Sequence, residues 1–394
     1  MASSSRRSAG SAPRLFNTVR FGSRATLHRN LAGALFPERL PPEELKRLRD
    51  KVCDAAMASP SVLGKKAGAL RPDDAQFTPA AARLAGRGEI TSAFVDHADG
   101  TAFMYSEDGS QIVVNDEDHV TLSSQGDGKL ADLAKRVHKV SQALEKRLAF
   151  ARHPVYGYLS ANPDNLGTGL RLHGAFCLFG LYLNKELDAA LRAIERLGLS
   201  IRPLYLLSER EENPLEAPGC CYVVGSTQTM GREADIVEGM AHICDQLEIA
   251  ETNARLRLVE QRLPLLVDFL TRSVAVGSTA VQLTESEGLD IVHAILMGVD
   301  FGLLELSEDD ESMAFNVLTL MSHAALRQLV LPGTDAKPAV AIPNEPVGEG
   351  DGEDFAELRS SRAFVLRQLA IKLLPQCLEK LGYKAVVKEI KSRR

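Results

Sequence analysis

Three short segments hold most of the side chains in this sequence that could handle a phosphate. The first is Gly22-Ser23-Arg24-Ala25-Thr26-Leu27-His28-Arg29-Asn30-Leu31, with two arginines and a histidine. The second, Asn115-Asp116-Glu117-Asp118-His119, gathers three carboxylates at the end of a strand-like run. Such a cluster suits a general base or a clamp for a cationic group such as a guanidinium, although a solvated strand end has the same composition. The third runs from Gly157 through Tyr158-Leu159-Ser160-Ala161-Asn162-Pro163-Asp164-Asn165-Leu166-Gly167-Thr168-Gly169-Leu170 to Arg171. Its Asn-Pro-Asp-Asn core is turn chemistry, its glycines let backbone approach a ligand, and an arginine behind them suits a phosphate or carboxylate. Read alone, a turn connecting two strands accounts for it equally simply.

These segments sit in a chain of 394 residues, long enough for two or three domains, and 45% hydrophobic residues can bury a sizeable core. A net charge of −6 leaves no overall basic field, and aromatics are scarce with no Trp, so neither duplex nor single-stranded nucleic acid is an expected partner. No apolar run reaches the roughly 18–20 residues of a membrane span. Cys53, Cys177, Cys220, Cys221, Cys244 and Cys377 form no CxxC pair and no Cys/His zinc spacing, so no metal centre is expected from them. They read as buried or reduced thiols of a cytoplasmic protein; a redox role for the vicinal Cys220-Cys221 is the less favoured alternative.

The elements that must position the segments are legible in outline. Pro41-Pro42-Glu43-Glu44-Leu45 opens a helix, with proline in its first turn and acids at the positive end of its dipole. Four β-rich runs follow, Ile90–Val95, Ala102–Tyr105, Gln111–Val114 and His119–Leu122, with a hairpin signal at Asp108-Gly109; they predict an antiparallel meander. Leu130, Leu133, Val137, Val140, Leu144 and Leu148 mark an amphipathic helix. Leu172–Leu183 reads as a buried strand, and Asn184 as the cap of a helix that stops at Gly198. Strands are expected at Ser200–Leu207 and Cys220–Gly225, then helix from about Gly231 to Val274 and almost no strand signal beyond. Residues 331–354, rich in proline, glycine and acids, read as a linker, with helix returning at Arg359. Residues 1–37 carry Arg6, Arg7, Arg14, Arg20, Arg24 and Arg29 before the first acid, Glu38. That composition fits an organellar transit peptide, but a basic disordered tail is preferred because the first segment begins inside it.

Taken together, the segments resemble the signature of the ATP:guanidino phosphotransferases, the phosphagen kinases. Tyr158–Arg171 resembles their Cys-Pro-x-Asn-x-Gly-Thr-x-x-Arg string, Asn115–His119 their Asn-Glu-Glu-Asp-His, and Ser23–Asn30 their Ser-Ser/Thr-Arg-x-Arg-x-x-Arg, in the same order and spacing. The bacterial protein-arginine kinases are the most similar branch, since they begin near the arginine segment and end in a helical domain. Gly298–Leu303 and Asn316–Leu326 resemble stretches of that domain. The resemblance implies an α+β fold, an antiparallel β-sheet flanked by helices followed by an all-helical C-terminal domain. It divides the chain into a tail (1–19), a catalytic domain (20–255) and a helical domain (256–394) with an acidic linker (332–354).

The resemblance also implies roles. Ser23 and Arg24, Arg171 and Arg202 match residues that bind ATP phosphates; Glu117 matches the glutamate that orients the guanidinium and takes its proton, with Asp116 beside it. Asn162 stands where the family has a cysteine next to the guanidinium. Thr26 and Thr121 replace two phosphate arginines, and Glu89 takes the place of a nucleotide-contacting histidine. The loop after Arg202 lacks the family's glycines; Glu209, Glu211, Glu212 or Glu216 could supply its carboxylate. In the stretch matching a phosphoarginine pocket, only Arg362 and Ala363 agree, so an ordinary helix start is favoured there. The implied function is transfer of the γ-phosphoryl of Mg2+-bound ATP to an arginine in a protein. The alternative is a weak or inactive pseudokinase that binds nucleotide or a regulatory protein, because each lost oxyanion-type donor costs roughly 10²–10³ in rate. A homodimer is implied as well, and no metal beyond the Mg2+ that accompanies ATP.

Overall fold

The computed structural model describes residues 19–63, 68–70, 81, 84, 89–91, 93–94, 97, 100–205, 207, 217–321, 326 and 352–379. Its strands are β1 (Arg20–Arg29), β2 (Gly68–Leu70), β3 (Ala102–Tyr105), β4 (Ser110–Val114), β5 (Val120–Gly126), β6 (Arg152–His153), β7 (Gly157–Tyr158), β8 (Leu170–Cys177), β9 (Ser200–Pro203) and β10 (Cys221–Gly225). Eight of them form one antiparallel sheet in the order β2-β3-β4-β5-β1-β8-β10-β9, with β6 and β7 paired apart. The arginine-bearing β1 is thus central, between β5 and β8.

Period-two alternation gives this sheet two chemically different faces. Ala25 and Leu27 of β1 point to one side with Ile112, Leu122, Leu170, Leu172 and Val224, all fully buried. The amphipathic helix α3 (Leu130–Glu145) closes that side through Leu130, Leu133, Val137, Val140 and Leu144. Arg24, Thr26 and His28 therefore point to the other side, as do their register partners on the neighbouring strands.

Helices α1 (Pro42–Met57), α2 (Pro60–Leu63), α4 (Phe179–Leu183) and α5 (Leu187–Arg196) complete the sheet-bearing part. Beyond it lie α6 (Glu233–Gln261), α7 (Leu263–Thr279), α8 (Glu285–Asp300), α9 (Glu308–Leu320) and α10 (Gly352–Glu379). Residues from α7, α8 and α10 build a second core around Leu266, Leu270, Val292, Leu366 and Leu369. Helix α6 runs unbroken past residue 255, giving Cys244 and Ala254 to the first core and Leu258 to the second. It breaks from α7 at Arg262, whose backbone is non-helical, and Pro264 occupies the first turn of α7.

The meander, the turn at Gly109 and α1 and α3 follow the sequence expectation; several elements do not. Ala93 and Phe94, expected in a strand, are helical, and His97 N donates to the Ala93 carbonyl at 2.9 Å. Burial of Phe94 against Phe103 and Val113, not strand pairing, explains that apolar run. The Leu172–Leu183 run is strand only to Cys177 and then turns into α4, because Gly180 N and Leu181 N donate to the buried Glu251 carboxylate (2.7 and 2.9 Å). Asn184 ends α4 instead of capping α5; its Nδ2 donates to the carbonyls of Gly180 and Ala254. Strand β9 stops at Pro203, not Leu207, and α10 begins at Gly352, inside the expected linker. Residues 1–18 and 332–351 lie outside the described residues. None of the six cysteines forms a disulfide, and all are buried. Among the described residues no helix is long and apolar enough to cross a membrane.

Where α6 crosses from one core to the other, Arg255 Nε donates to Glu251 at 2.7 Å, with Asp300 3.5 Å from its Nη1 and the Cys177 carbonyl 3.1 Å from its Nη2. Both members of the Arg255–Glu251 pair are fully buried. Glu251→Ala should strand a buried guanidinium and two amides and lower stability by about 3–5 kcal/mol, read as a shifted urea midpoint.

Candidate active site

One buried carboxylate ties the three segments together. Asp118 accepts from Asn30 Nδ2 (2.6 Å), Ser160 Oγ (2.8 Å) and Ala161 N (2.8 Å), and lies 3.2 Å from His28 Nδ1. Burial pushes its pKa up, but the bond and charge from His28, with Ala161 and Asn30, outweigh this and hold it below its ordinary value. Asn30 Oδ1 in turn meets His119 N at 3.0 Å and His119 Nδ1 at 2.7 Å.

This clamp shapes an acidic cleft of about 520 Å³, lined among others by Glu38, His97, Asp116, Glu117 and Asn162. Asn115 starts the turn that aims the acids: its φ of 55° is a conformation asparagine tolerates, and its Nδ2 donates to the carbonyls of Leu45 (2.9 Å) and Gly100 (2.7 Å). Asp116 is buried, accepts from the amide and hydroxyl of Thr91, and has its pKa raised by burial. Glu117 projects into the cleft. Burial, then the charges of Asp116 and Asp118, raise its pKa, opposed by His28 and by a hydrogen bond from Asn162. Glu38 and His97 were not singled out from the sequence. Glu38 was legible only as the acid after Pro37, and His97 reaches the site by holding the Asn115 carbonyl at 2.8 Å.

On the same side of the sheet the cations converge on His173. Its register partner on β1 is Arg24, and its pKa is forced down to about 3, first by burial and then by Arg24, Arg202, Arg171 and His28. Burial lowers the pKa of Arg24, and burial together with Arg24 lowers that of Arg202. Arg24 Nη2 reaches Ser123 Oγ at 3.2 Å, while its buried Nε has no partner among the described residues. Thr26 stands beside Arg171 in the register, and Thr121 beside His28. Arg20 is committed to Asp245 and Glu248 at 3.3 and 3.0 Å. Glu89 is buried, accepts from Gln111 Nε2 at 3.1 Å, and acts on Arg24 as a nearby negative charge.

Two placements qualify the expected phosphate set. Ser23 alternates with Arg24 and faces the helix-packed side. Arg171 is engaged by Asn165 Oδ1 (2.8 Å) and by the carbonyls of Ser226 (2.8 Å), Thr227 (2.9 Å) and Asp164 (2.8 Å). Glu209, Glu211, Glu212 and Glu216 lie outside the described residues. Arg362 does not mark a helix start: it is buried within α10 and donates to the carbonyls of Met321 (3.0 Å) and Leu283 (2.8 Å). Arg29 is also structural. It stacks 3.4 Å from the centre of the Tyr158 ring and donates to the Thr168 carbonyl at 2.9 Å. Gly169, at φ +66°, allows that approach, since a Cβ there would lie 2.7 Å from Arg29 Nη1.

A family model described as the ATP:guanido phosphotransferase C-terminal catalytic domain matches residues 78–254. A protein-arginine kinase of Clostridium novyi is 30% identical over 310 residues, covering 78% of this chain and 87% of the relative. The chain belongs to the ATP:guanido phosphotransferase family. A second protein-arginine kinase, from Halothermothrix orenii, is 27% identical over 312 residues, 78% of this chain and 85% of the relative. Among solved structures, the substrate-free duplicated taurocyamine kinase from Schistosoma mansoni superposes with a TM-score of 0.50 at 19% identity. That match covers 71% of this chain and 41% of the other, and it shows a shared fold. Guanidino kinases in general use ATP with Mg2+. The matched span takes in Asp116, Glu117, Asn162, Arg171 and Arg202, while Glu38 and the strand bearing Arg24 precede it.

The two histidines at the heart of this arrangement are held neutral, His119 with a pKa driven by burial to about 4 and His173 to about 3. Unfolding restores ordinary histidines that bind protons more readily, so stability falls as pH drops below about 6.5. His119 alone should remove about 3 kcal/mol by pH 4. Urea midpoints between pH 7 and pH 4 check this; His119→Gln, which cannot titrate, should flatten part of the slope.

Proposed function

We propose that this protein transfers the γ-phosphoryl group of ATP to the guanidinium of an arginine in another protein. The observation that carries the reading is the meeting of two opposite fields at His28. Its Nδ1 lies 3.2 Å from Asp118, which adjoins Glu117 in the acidic turn, while the same face of the sheet carries Arg24 from β1 and Arg171 and His173 from β8. An electropositive face beside an acidic cleft suits a polyanionic donor next to a cationic acceptor.

In this reading the triphosphate lies across Arg24, Arg171 and Arg202. The orphaned Arg24 Nε and the mutual repulsion of Arg24 and Arg202 both favour an anion there. The Mg2+ that accompanies ATP neutralises phosphate charge. The acceptor guanidinium enters the cleft among Glu38, Asp116 and Glu117. As its nitrogen forms the N–P bond, the bond from the γ-phosphorus to the bridging oxygen breaks, ADP leaves, and the nitrogen's proton passes to Glu117. A carboxylate with a raised pKa suits that role, so turnover should climb as pH rises through the Glu117 titration.

A second reading, nucleotide binding without transfer, is favoured by three features: Thr26 and Thr121 are neutral, Glu89 opposes phosphate beside Arg24, and Arg171 already has protein partners. The full chain with Mg-ATP and casein separates the two. Transfer should yield acid-labile, hydroxylamine-insensitive phosphate on arginine. Glu117→Gln should then lower the rate about 10²–10⁴-fold, and Arg24→Ala about 10²–10³-fold. ATP-dependent thermal stabilisation with no phosphoarginine supports the second reading, and no stabilisation at millimolar ATP defeats both.

The same reading assigns residues 20–255 to catalysis and 256–394 to a helical unit that pairs with a second copy. In support of pairing, α10 exposes Phe364, Ile371 and Leu378 at heptad spacing along one stripe. Light scattering should report a dimer for the full chain and a monomer for Phe364→Glu/Ile371→Glu.

A further inference from the structure

The sequence spacing gave no sign of a metal centre, yet the fold brings two cysteines and a histidine from distant parts of the chain into one buried cluster. Cys177 ends β8 and Cys221 begins β10, where the two are register partners across the antiparallel pair. His293 comes from α8 and reaches them from the helical side. Cys221 Sγ lies 3.5 Å from His293 Nε2, and the three ligand atoms all fall within 4.8 Å of one another. A tetrahedral zinc ion with bonds of about 2.3 Å to sulfur and about 2.0 Å to nitrogen sets a sulfur–nitrogen edge of roughly 3.5 Å.

The surroundings fit a bound cation. The Gly219 carbonyl oxygen lies 3.5 Å from Cys177 Sγ and 3.2 Å from Cys221 Sγ, so an oxygen faces both sulfurs where a fourth ligand would stand. The imidazole packs flat against Gly219, whose amide donates to Asp290 at 2.5 Å; a Cβ there would lie 2.5 Å from the ring. Tyr205 Oη sits 2.7 Å from the same Nε2.

We propose that Cys177, Cys221 and His293 bind one zinc ion that clamps the β8–β10 end of the sheet to α8. Binding forms two zinc–sulfur bonds and one zinc–nitrogen bond, two thiol protons pass to solvent, and the Gly219 carbonyl, the Tyr205 phenol or a water completes four-coordination. No oxidant or reductant takes part. Thiolate and imidazole ligands discriminate against Mg2+, so the ion that accompanies ATP does not compete. The clamp lies close to the phosphate-facing strand: Leu204 N donates to the Cys221 carbonyl at 2.9 Å, and Tyr205 follows Arg202 by three residues.

The test uses the full chain with reduced thiols, titrated with Zn2+ against a chromophoric chelator and, separately, with Co2+. One equivalent of Zn2+ is expected, together with a thiolate-to-cobalt charge-transfer band. Affinity should drop at least tenfold in Cys221→Ser and in His293→Gln, and stay unchanged in Cys53→Ser. Where a variant does not fold, alkylation of the wild-type chain decides: Zn2+ should slow modification of Cys177 and Cys221 at least tenfold relative to Cys53. Three results overturn the proposal. These are no binding in competition with the chelator, binding unaffected by the substitutions, and recovery of a Cys177–Cys221 disulfide in a chain that takes up no metal. None of these readouts depends on phosphoryl transfer.

Discussion

A single buried carboxylate, Asp118, holds this protein's functional region together. A buried charge is tolerated only when its acceptor sites are filled, and those of Asp118, itself in the second chemically distinctive segment, are filled from the first and the third at once. The need to solvate that charge internally fixes how β1, the acidic turn and the Ser160 loop sit relative to one another. The cleft that Glu117 and Asn162 line depends on this constraint.

The sheet then separates opposite charges. Alternation along β1 sends Ala25 and Leu27 into the core and turns Arg24 outward, and the same alternation brings Arg171 and His173 to that face from β8. Arginines brought together at partly buried positions repel one another and lose water, and His173, among them, has its pKa lowered first by burial and then by their charges. The electrostatic strain is what gives the face its demand for an anion. Next to it, burial and then the neighbouring carboxylates raise the pKa of Glu117.

That face also carries neutral and acidic side chains among its arginines. Thr26 and Thr121 lie at the register positions where cations would be useful, and Glu89 adds a negative charge near Arg24. Arg171 braces the loop through backbone carbonyls, so it combines a structural duty with any role toward phosphate.

Local chemistry in the sequence determined much of this: the amphipathic period of α3, the turn at Gly109, and the arginines and acids that a phosphate or guanidinium site requires. These rest on neighbours a few residues apart, so they can be read without the fold. Tertiary structure alone decided that Phe94 would be helical, that Cys177 would end its strand beside Glu251, and that Ser23 would face away from Arg24. It also decided that Glu38 and His97 would line the cleft, and that Cys177, Cys221 and His293 would meet. Each of those outcomes depends on what a distant segment offers, such as a carboxylate for two amides, a gap for a ring or a partner strand, and spacing along the chain carries no record of such offers.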